Sequence, residues 1–328
     1  MKSLFPRRAV LGALFAAALS TLLPGAARAA DKVTEIRLDY AYYNPVSLVL
    51  KEKGWLEEDL KKDGIAVRWV LSLGSNKALE FLNAGSLDFG STAGAAALIA
   101  RINGNPIKSV YVYSKPEWTA LVTGPNSAIT KVEDLKGKRV AVTRGTDPHI
   151  FLVRTLAQHK LTDKDIKLVL LQHQDGRLAL EKGDVDAWAG LDPLMAQAEI
   201  DNGARLFYRN AAANTWGVLN VREEFAKQQP ELVARVLRAY EKARAHALAN
   251  PAELKTTIAA AAKLSEPVAV RQLERTDLSH GAIGTEQADT ILQAGLALQE
   301  SGVLGADVDV KGAVAALIDP SFSKALTQ

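Results

Sequence analysis

Three stretches of the sequence set small polar side chains directly before a helix-period segment: Asn44-Pro45, Ser91-Thr92-Ala93 and Thr146-Asp147-Pro148. A helix start carries unpaired backbone N–H groups and about half a positive charge. It can therefore hold an oxyanion without a lysine, and small or hydroxylated residues let the anion approach and add O–H donors. The same residue types are ordinary helix caps, and residue identity leaves both readings open. Gly74-Ser75-Asn76 has the same duality, a glycine turn with a cap or a set of backbone and amide donors. Arg144 and His149 flank Gly145-Thr146 on a loop after a strand, where a cation would neutralise an acidic ligand. Asp192 caps a helix or accepts from a ligand's ammonium or hydroxyl. Tyr42, Trp118 and Trp216 are expected near the same loops, where aromatic walls would accept an organic arm.

Covalent and metal chemistry find no footing. There is no Gly-x-Ser-x-Gly elbow, no phosphate loop, no His-Glu-x-x-His and no cysteine, and His149, His159, His173, His246 and His280 show no pair at metal-ligand spacing. No catalytic residue, metal or cofactor is expected. Asp88 and Asp186 lie inside a repeated motif and read as structural, fixing a helix-to-strand turn.

The elements that must position these residues alternate. Strands Ile36–Tyr40, Val67–Leu73, Leu87–Phe89 and Ser109–Tyr113 are separated by helices Val46–Lys53, Lys77–Asn83 and Ala93–Ile102. The grammar then repeats, with strands Arg139–Thr143, Lys167–Leu171 and Val185–Ala189 and helices His149–Lys160, Arg177–Lys182 and Leu194–Asn202. Such alternation predicts a mainly parallel α/β sheet flanked by helices. Leu82-Asn83-Ala84-Gly85-Ser86-Leu87-Asp88-Phe89 matches Leu180-Glu181-Lys182-Gly183-Asp184-Val185-Asp186-Ala187 at an offset of 98; Pro45 and Pro148 correspond at 103, and Thr92 and Asp192 at 100. The sequence therefore predicts two similar lobes whose ligand cleft lies beyond the carboxyl ends of their strands. From Pro230 onward the pattern is helical, and this part is expected to return and pack on the first lobe.

The chain has 328 residues, with Lys+Arg 40 against Asp+Glu 37. Its start holds Lys2, Arg7, Arg8 and Arg28, no acid, an apolar run Val10–Leu23 and the small-residue site Ala27-Arg28-Ala29. That layout is a secretory signal peptide, too short for a membrane anchor, and Arg7-Arg8 also permits twin-arginine export. Without those four cations 36 basic residues face 37 acidic ones, a formal charge of −1, which argues against nucleic acid as a partner. The expected organisation is a signal peptide at 1–29, a first lobe at 30–118 completed by 217–328, and a second lobe at 119–216, in an exported, periplasmic monomer.

Three segments carry a resemblance: residues 82–90, Asp134-Leu135-Lys136-Gly137-Lys138-Arg139-Val140-Ala141-Val142 with Gly145-Thr146, and residues 181–188 followed by Asp192-Pro193. They resemble the signature segments of periplasmic solute-binding proteins for aliphatic sulfonates, within the group serving taurine, nitrate, bicarbonate and thiamine-precursor transporters, and the likeness covers essentially the whole mature chain. The resemblance implies a type II periplasmic binding fold of two lobes closing like a hinge, and delivery of the ligand to a membrane ABC permease. It also implies a sulfonate group near Ser91, Thr92, Thr146 and Gly74-Ser75-Asn76, with Tyr42, Trp118 and Trp216 toward the organic part. Enzymes that share this architecture depend on cysteine or dense histidine motifs, which are missing here.

Overall fold

A computed structural model describes residues 33–324 and residue 326. The expected signal peptide at 1–29 and its cleavage near Ala29 lie outside the described residues. Among those described, eleven strands form two sheets: β1 (Glu35–Tyr40), β2 (Ala66–Leu71), β3 (Phe89–Ala93), β4 (Ile107–Pro116), β5 (Leu121–Thr123), β6 (Arg139–Val142), β7 (Lys167–Leu170), β8 (Ala187–Ala189), β9 (Arg205–Tyr208), β10 (Gly217–Arg222) and β11 (Thr276–Asp277). The first sheet runs β11-β4-β10-β3-β1-β2 and the second β7-β6-β8-β5-β9. Each contains a parallel trio, β2-β1-β3 and β7-β6-β8, extended by an antiparallel strand, β10 and β5. The order is the same in both, and each antiparallel strand is reached by the chain crossing from the other sheet.

The sequence repeat is also a repeat of contacts. Arg37 donates from its backbone N (2.9 Å), Nε (3.0 Å) and Nη2 (2.7 Å) to Asp88, and from Nη1 to the Gly85 carbonyl. Arg139 does the same one repeat later, from N (2.7 Å), Nε (3.3 Å) and Nη2 (3.0 Å) to Asp186, and from Nη2 to the Gly183 carbonyl. Gly85 and Gly183 sit at φ +67° and +77°, the left-handed region that favours glycine. The motif is thus a strand-to-turn clamp, as its aspartates suggested.

Local signals explain the helix starts. The Asn44 side chain accepts from the Ser47 N–H at 3.1 Å and Pro45 opens helix Pro45–Lys53, which closes at Gly54 with φ +63°. Helix Pro230–Ala249 packs on Pro45–Lys53, while helices Thr285–Glu300 and Val310–Leu317 pack on Gly94–Ile102. The largest apolar core runs through the first sheet and these helices, and two smaller clusters fill the faces of the second.

One expected element differs in a way that matters for the site. The third strand, expected at Leu87–Phe89, runs over Phe89–Ala93, so Ser91 and Thr92 lie inside a strand and the helix begins at Gly94. The cause is remote: β10 pairs along the whole of β3, with Val218 opposite Thr92 and Leu219 opposite Ser91, and local periodicity cannot register a partner more than 120 residues away. Likewise the helix expected from Arg177 starts at His173.

Candidate functional site

Loops after the parallel strands of both sheets meet around a cavity of about 420 Å³. Tyr42 and Tyr43 follow β1, Ser72 and Leu73 follow β2, Gln172 and His173 follow β7, and Leu191, Asp192 and Pro193 follow β8. Gln174, Arg177, Leu194 and Gln197 come from the helices behind those loops, and Ala262, Lys263 and Leu264 close one side from the C-terminal part. This is the carboxyl-end position expected of open parallel sheets, and its size is in the range of small-molecule sites. Its lining combines amide, hydroxyl, imidazole and guanidinium groups with leucines, which suits a small polar head on an apolar arm.

Of the residues singled out in the sequence, Tyr42 and Asp192 line this cavity, and Gly74 lies directly behind His173. Asn76 reaches across to Gln172, Nδ2 to Oε1 at 3.4 Å, and Gly145, at φ +78°, passes close to Asn76. The hydroxyls are engaged within the protein. Ser91 donates its N–H (2.9 Å) and Oγ–H (2.8 Å) to Asp39 and accepts from Asn44 Nδ2 at 2.7 Å. Thr92 donates Oγ1–H to the Ala93 carbonyl and accepts from Asn220 Nδ2, Ser75 accepts from the Ala93 N–H, and Thr146 donates to the Thr143 carbonyl at 2.7 Å. Arg144 and His149 line a separate depression between the helix Asp147–Gln158 and residues 300–303. Trp216, at φ +27°, packs edge-on against His280 and donates to Thr290 Oγ1.

Trp118 and the helix start at Asp147 belong to one device. Two segments, Glu117–Ala120 and Arg209–Trp216, cross between the sheets. The buried Asp147 carboxylate accepts from Trp118 Nε1 (2.8 Å) in the first, and from Thr215 N (3.0 Å) and Oγ1 (2.6 Å) in the second. Thr119 N–H donates to Asn214 Oδ1 at 3.0 Å, and Arg209 forks onto Glu117. Beside the cavity, Arg275 pairs with Glu199 and lies 3.5 Å from Asp192 Oδ2, so a residue of the C-terminal part faces two acids of the second sheet's helical layer.

Sequence reasoning missed Ser72, Gln172, His173, Gln174, Arg177 and Gln197. A usable signal existed for three of them, because carrying the 98-residue offset from Gly74-Ser75-Asn76 lands on Gln172-His173-Gln174.

Burial sets the charge state of the site. It raises the Asp192 carboxyl to about 7 against the opposing pull of Arg275 and the Ala196 N–H, and raises Asp39 to about 6 against the donors of Ser91. It lowers His173 to about 3. Between pH 4 and 7 the folded chain therefore holds protons on Asp192 and Asp39 that the unfolded chain releases, so these two groups lose stabilising effect as pH rises, while His173 acts in the opposite sense. Asp192→Asn deletes one falling contribution. Its stability relative to the wild type should increase as pH rises from about 4 to 7, measured by urea midpoints; a constant difference across that window would contradict the assignment.

A family model described as NMT1/THI5 like matches residues 46–254. The chain belongs to the NMT1/THI5-like family. Within reach of that family assignment, a Bacillus subtilis (strain 168) protein named for aliphatic sulfonate binding is 27% identical over 222 residues, 67% of each chain. A similarly named protein of Escherichia coli (strain K12) is 36% identical over 152 residues, 46% of this chain and 48% of that one. Among solved structures, the alkanesulfonate-binding protein SsuA from Xanthomonas axonopodis pv. citri, bound to MOPS, superposes with a TM-score of 0.79 at 26% identity, covering 87% of this chain and 99% of SsuA. The paired sheets of this chain are those of the periplasmic binding protein fold.

Proposed function

We propose that this protein is the solute-binding component of an ABC importer, capturing an alkanesulfonate in the periplasm and delivering it to a membrane permease. The observation that carries the reading is the cavity itself, in which loops at the carboxyl ends of both sheets converge on one space. A sulfonate is ionised at every biological pH and its three oxygens only accept hydrogen bonds. The donors available to it are the amides of Gln172 and Gln197 and the Arg177 guanidinium; Leu73, Leu191 and Leu264 suit the carbon arm. Relatives named for aliphatic sulfonates and for taurine support the class. In this reading the lobes comprise 30–118 with 217–328, and 119–216; the export segment is removed near Ala29 and the mature chain acts as a monomer. Tyr42, Gly74, Asn76 and Asp192 remain in the proposed ligand site.

The test is a ligand panel followed by thermal unfolding and calorimetry. Ethanesulfonate, 2-hydroxyethanesulfonate or taurine at about a hundredfold excess over Kd should stabilise the fold by about 2.7 kcal/mol, and nitrate and bicarbonate should not. Stabilisation by nitrate or bicarbonate alone would overturn the sulfonate reading, and stabilisation by an uncharged thiamine precursor alone would overturn anion capture altogether.

A further inference from the structure

His173 opens the helix His173–Lys182, is 2% exposed and lines the cavity. Neither of its ring nitrogens has a hydrogen-bond partner among the described residues. Buried polar atoms in folded proteins are nearly always paired, so an imidazole idle at both nitrogens beside a ligand-sized space points to a partner that comes from outside the chain. Its position is set by packing: a Cβ built on Gly74 would approach His173 Nε2 and Cδ2 to 3.0 Å. The ring is seated against the Gly74 backbone across the cleft, in a space that a side chain at 74 would take.

We propose that His173 is the residue that reads the organic arm of the ligand, so that the cleft selects a hydroxyalkanesulfonate over a plain alkanesulfonate. The inference rests on sulfonate capture and deepens it. With burial holding the ring neutral, it offers one N–H donor and one lone pair. Sulfonate oxygens can take the N–H but have no hydrogen to give the lone pair. A donor for the head is already at hand: the Arg177 guanidinium lines the same cavity, and its buried Nε is unpaired among the described residues. The remaining need at His173 is therefore for a donor on the carbon arm. A hydroxyl suits it better than an ammonium, because Arg177 and Lys263 line the same cavity and the one lining carboxyl among the described residues, Asp192, faces Arg275.

The experiment is calorimetric titration of the purified protein with ethanesulfonate, 2-hydroxyethanesulfonate and 2-aminoethanesulfonate, for the wild type, His173→Phe and His173→Gln. The wild type should bind the hydroxy compound about tenfold more tightly than ethanesulfonate, the worth of one well-made hydrogen bond. In His173→Phe that ratio should collapse to about twofold while ethanesulfonate still binds; His173→Gln, whose amide both donates and accepts, should keep most of it. A wild-type ratio near one, a ratio that survives His173→Phe, or tighter binding of the amino compound overturns the inference and leaves sulfonate capture standing. Failure of all three sulfonates to bind overturns the capture reading, and the inference with it. Where His173→Phe does not fold, the wild-type ratio and His173→Gln decide.

Discussion

Asp147→Ala should destabilise the protein by about 3–5 kcal/mol, the scale for removing one member of a buried charged network. Trp118 and Thr215 are 3% and 0% exposed, so the three N–H and O–H groups that now donate to this carboxylate would be stranded in a region that water reaches poorly. Each stranded donor costs about 1–3 kcal/mol, with neighbours not adding fully. Against a typical total of about 5–15 kcal/mol, a single substitution would remove a large share of the stability and lower Tm by roughly 10 °C. Asp147→Asn keeps one accepting oxygen and should cost distinctly less. Urea unfolding followed by tryptophan fluorescence measures both; Asp147→Ala within 1 kcal/mol of the wild type, by the same scale, would mean the two crossings do not depend on this staple.

Asp88→Ala and Asp186→Ala should differ sharply although the two residues occupy equivalent places in the repeat. The Asp88 side chain is 1% exposed and receives both Arg37 and Arg222, each Nη2 at 2.7 Å from Oδ1. Burial by itself would raise its pKa, yet the two arginines hold it below the usual carboxylate range. Removing it leaves two half-buried guanidinium groups and a strand N–H without their acceptor, a loss of about 3–5 kcal/mol. Among the described residues the Asp186 carboxylate meets Arg139 alone, with side chains 32% and 45% exposed, where solvent screens the pair and compensates its loss; Asp186→Ala should cost about 1 kcal/mol. Both carboxylates are held low in the fold, so what they contribute is present above pH 4 and fades as pH falls through their folded values. Equal losses for the two variants, read from urea midpoints at pH 7, would contradict the role given to burial.

The contrast between Asp88 and Asp186 shows what repetition in a sequence can and cannot convey. The matched octapeptides announce two similar lobes and a structural aspartate, because the glycine turn and the strand after it are built from contiguous residues. That Asp88 receives a second arginine depends on β10, which enters the first sheet after the chain has built the whole of the second. Asn44, Pro45 and Gly54 likewise declare a helix and its two ends through contacts spanning a few residues.

The candidate site was legible in its general place and only partly in its members. Ser91, Thr92 and Thr146 are of the right type for anion donors, but their hydroxyls meet acceptors from the fold: Asp39 lies 52 residues from Ser91, and the Thr92 hydroxyl takes a further bond from Asn220, 128 residues away. Composition, charge, the α/β alternation and the doubled architecture follow from the amino-acid sequence by itself, since each depends on residue counts or on periodicity within one element. Which polar groups are spent inside the protein and which are left facing the cavity was decided only by the tertiary structure. Hydrogen-bond capacity is consumed pairwise, by whichever partner folding brings within about 3 Å, and at His173 folding brought none from among the described residues.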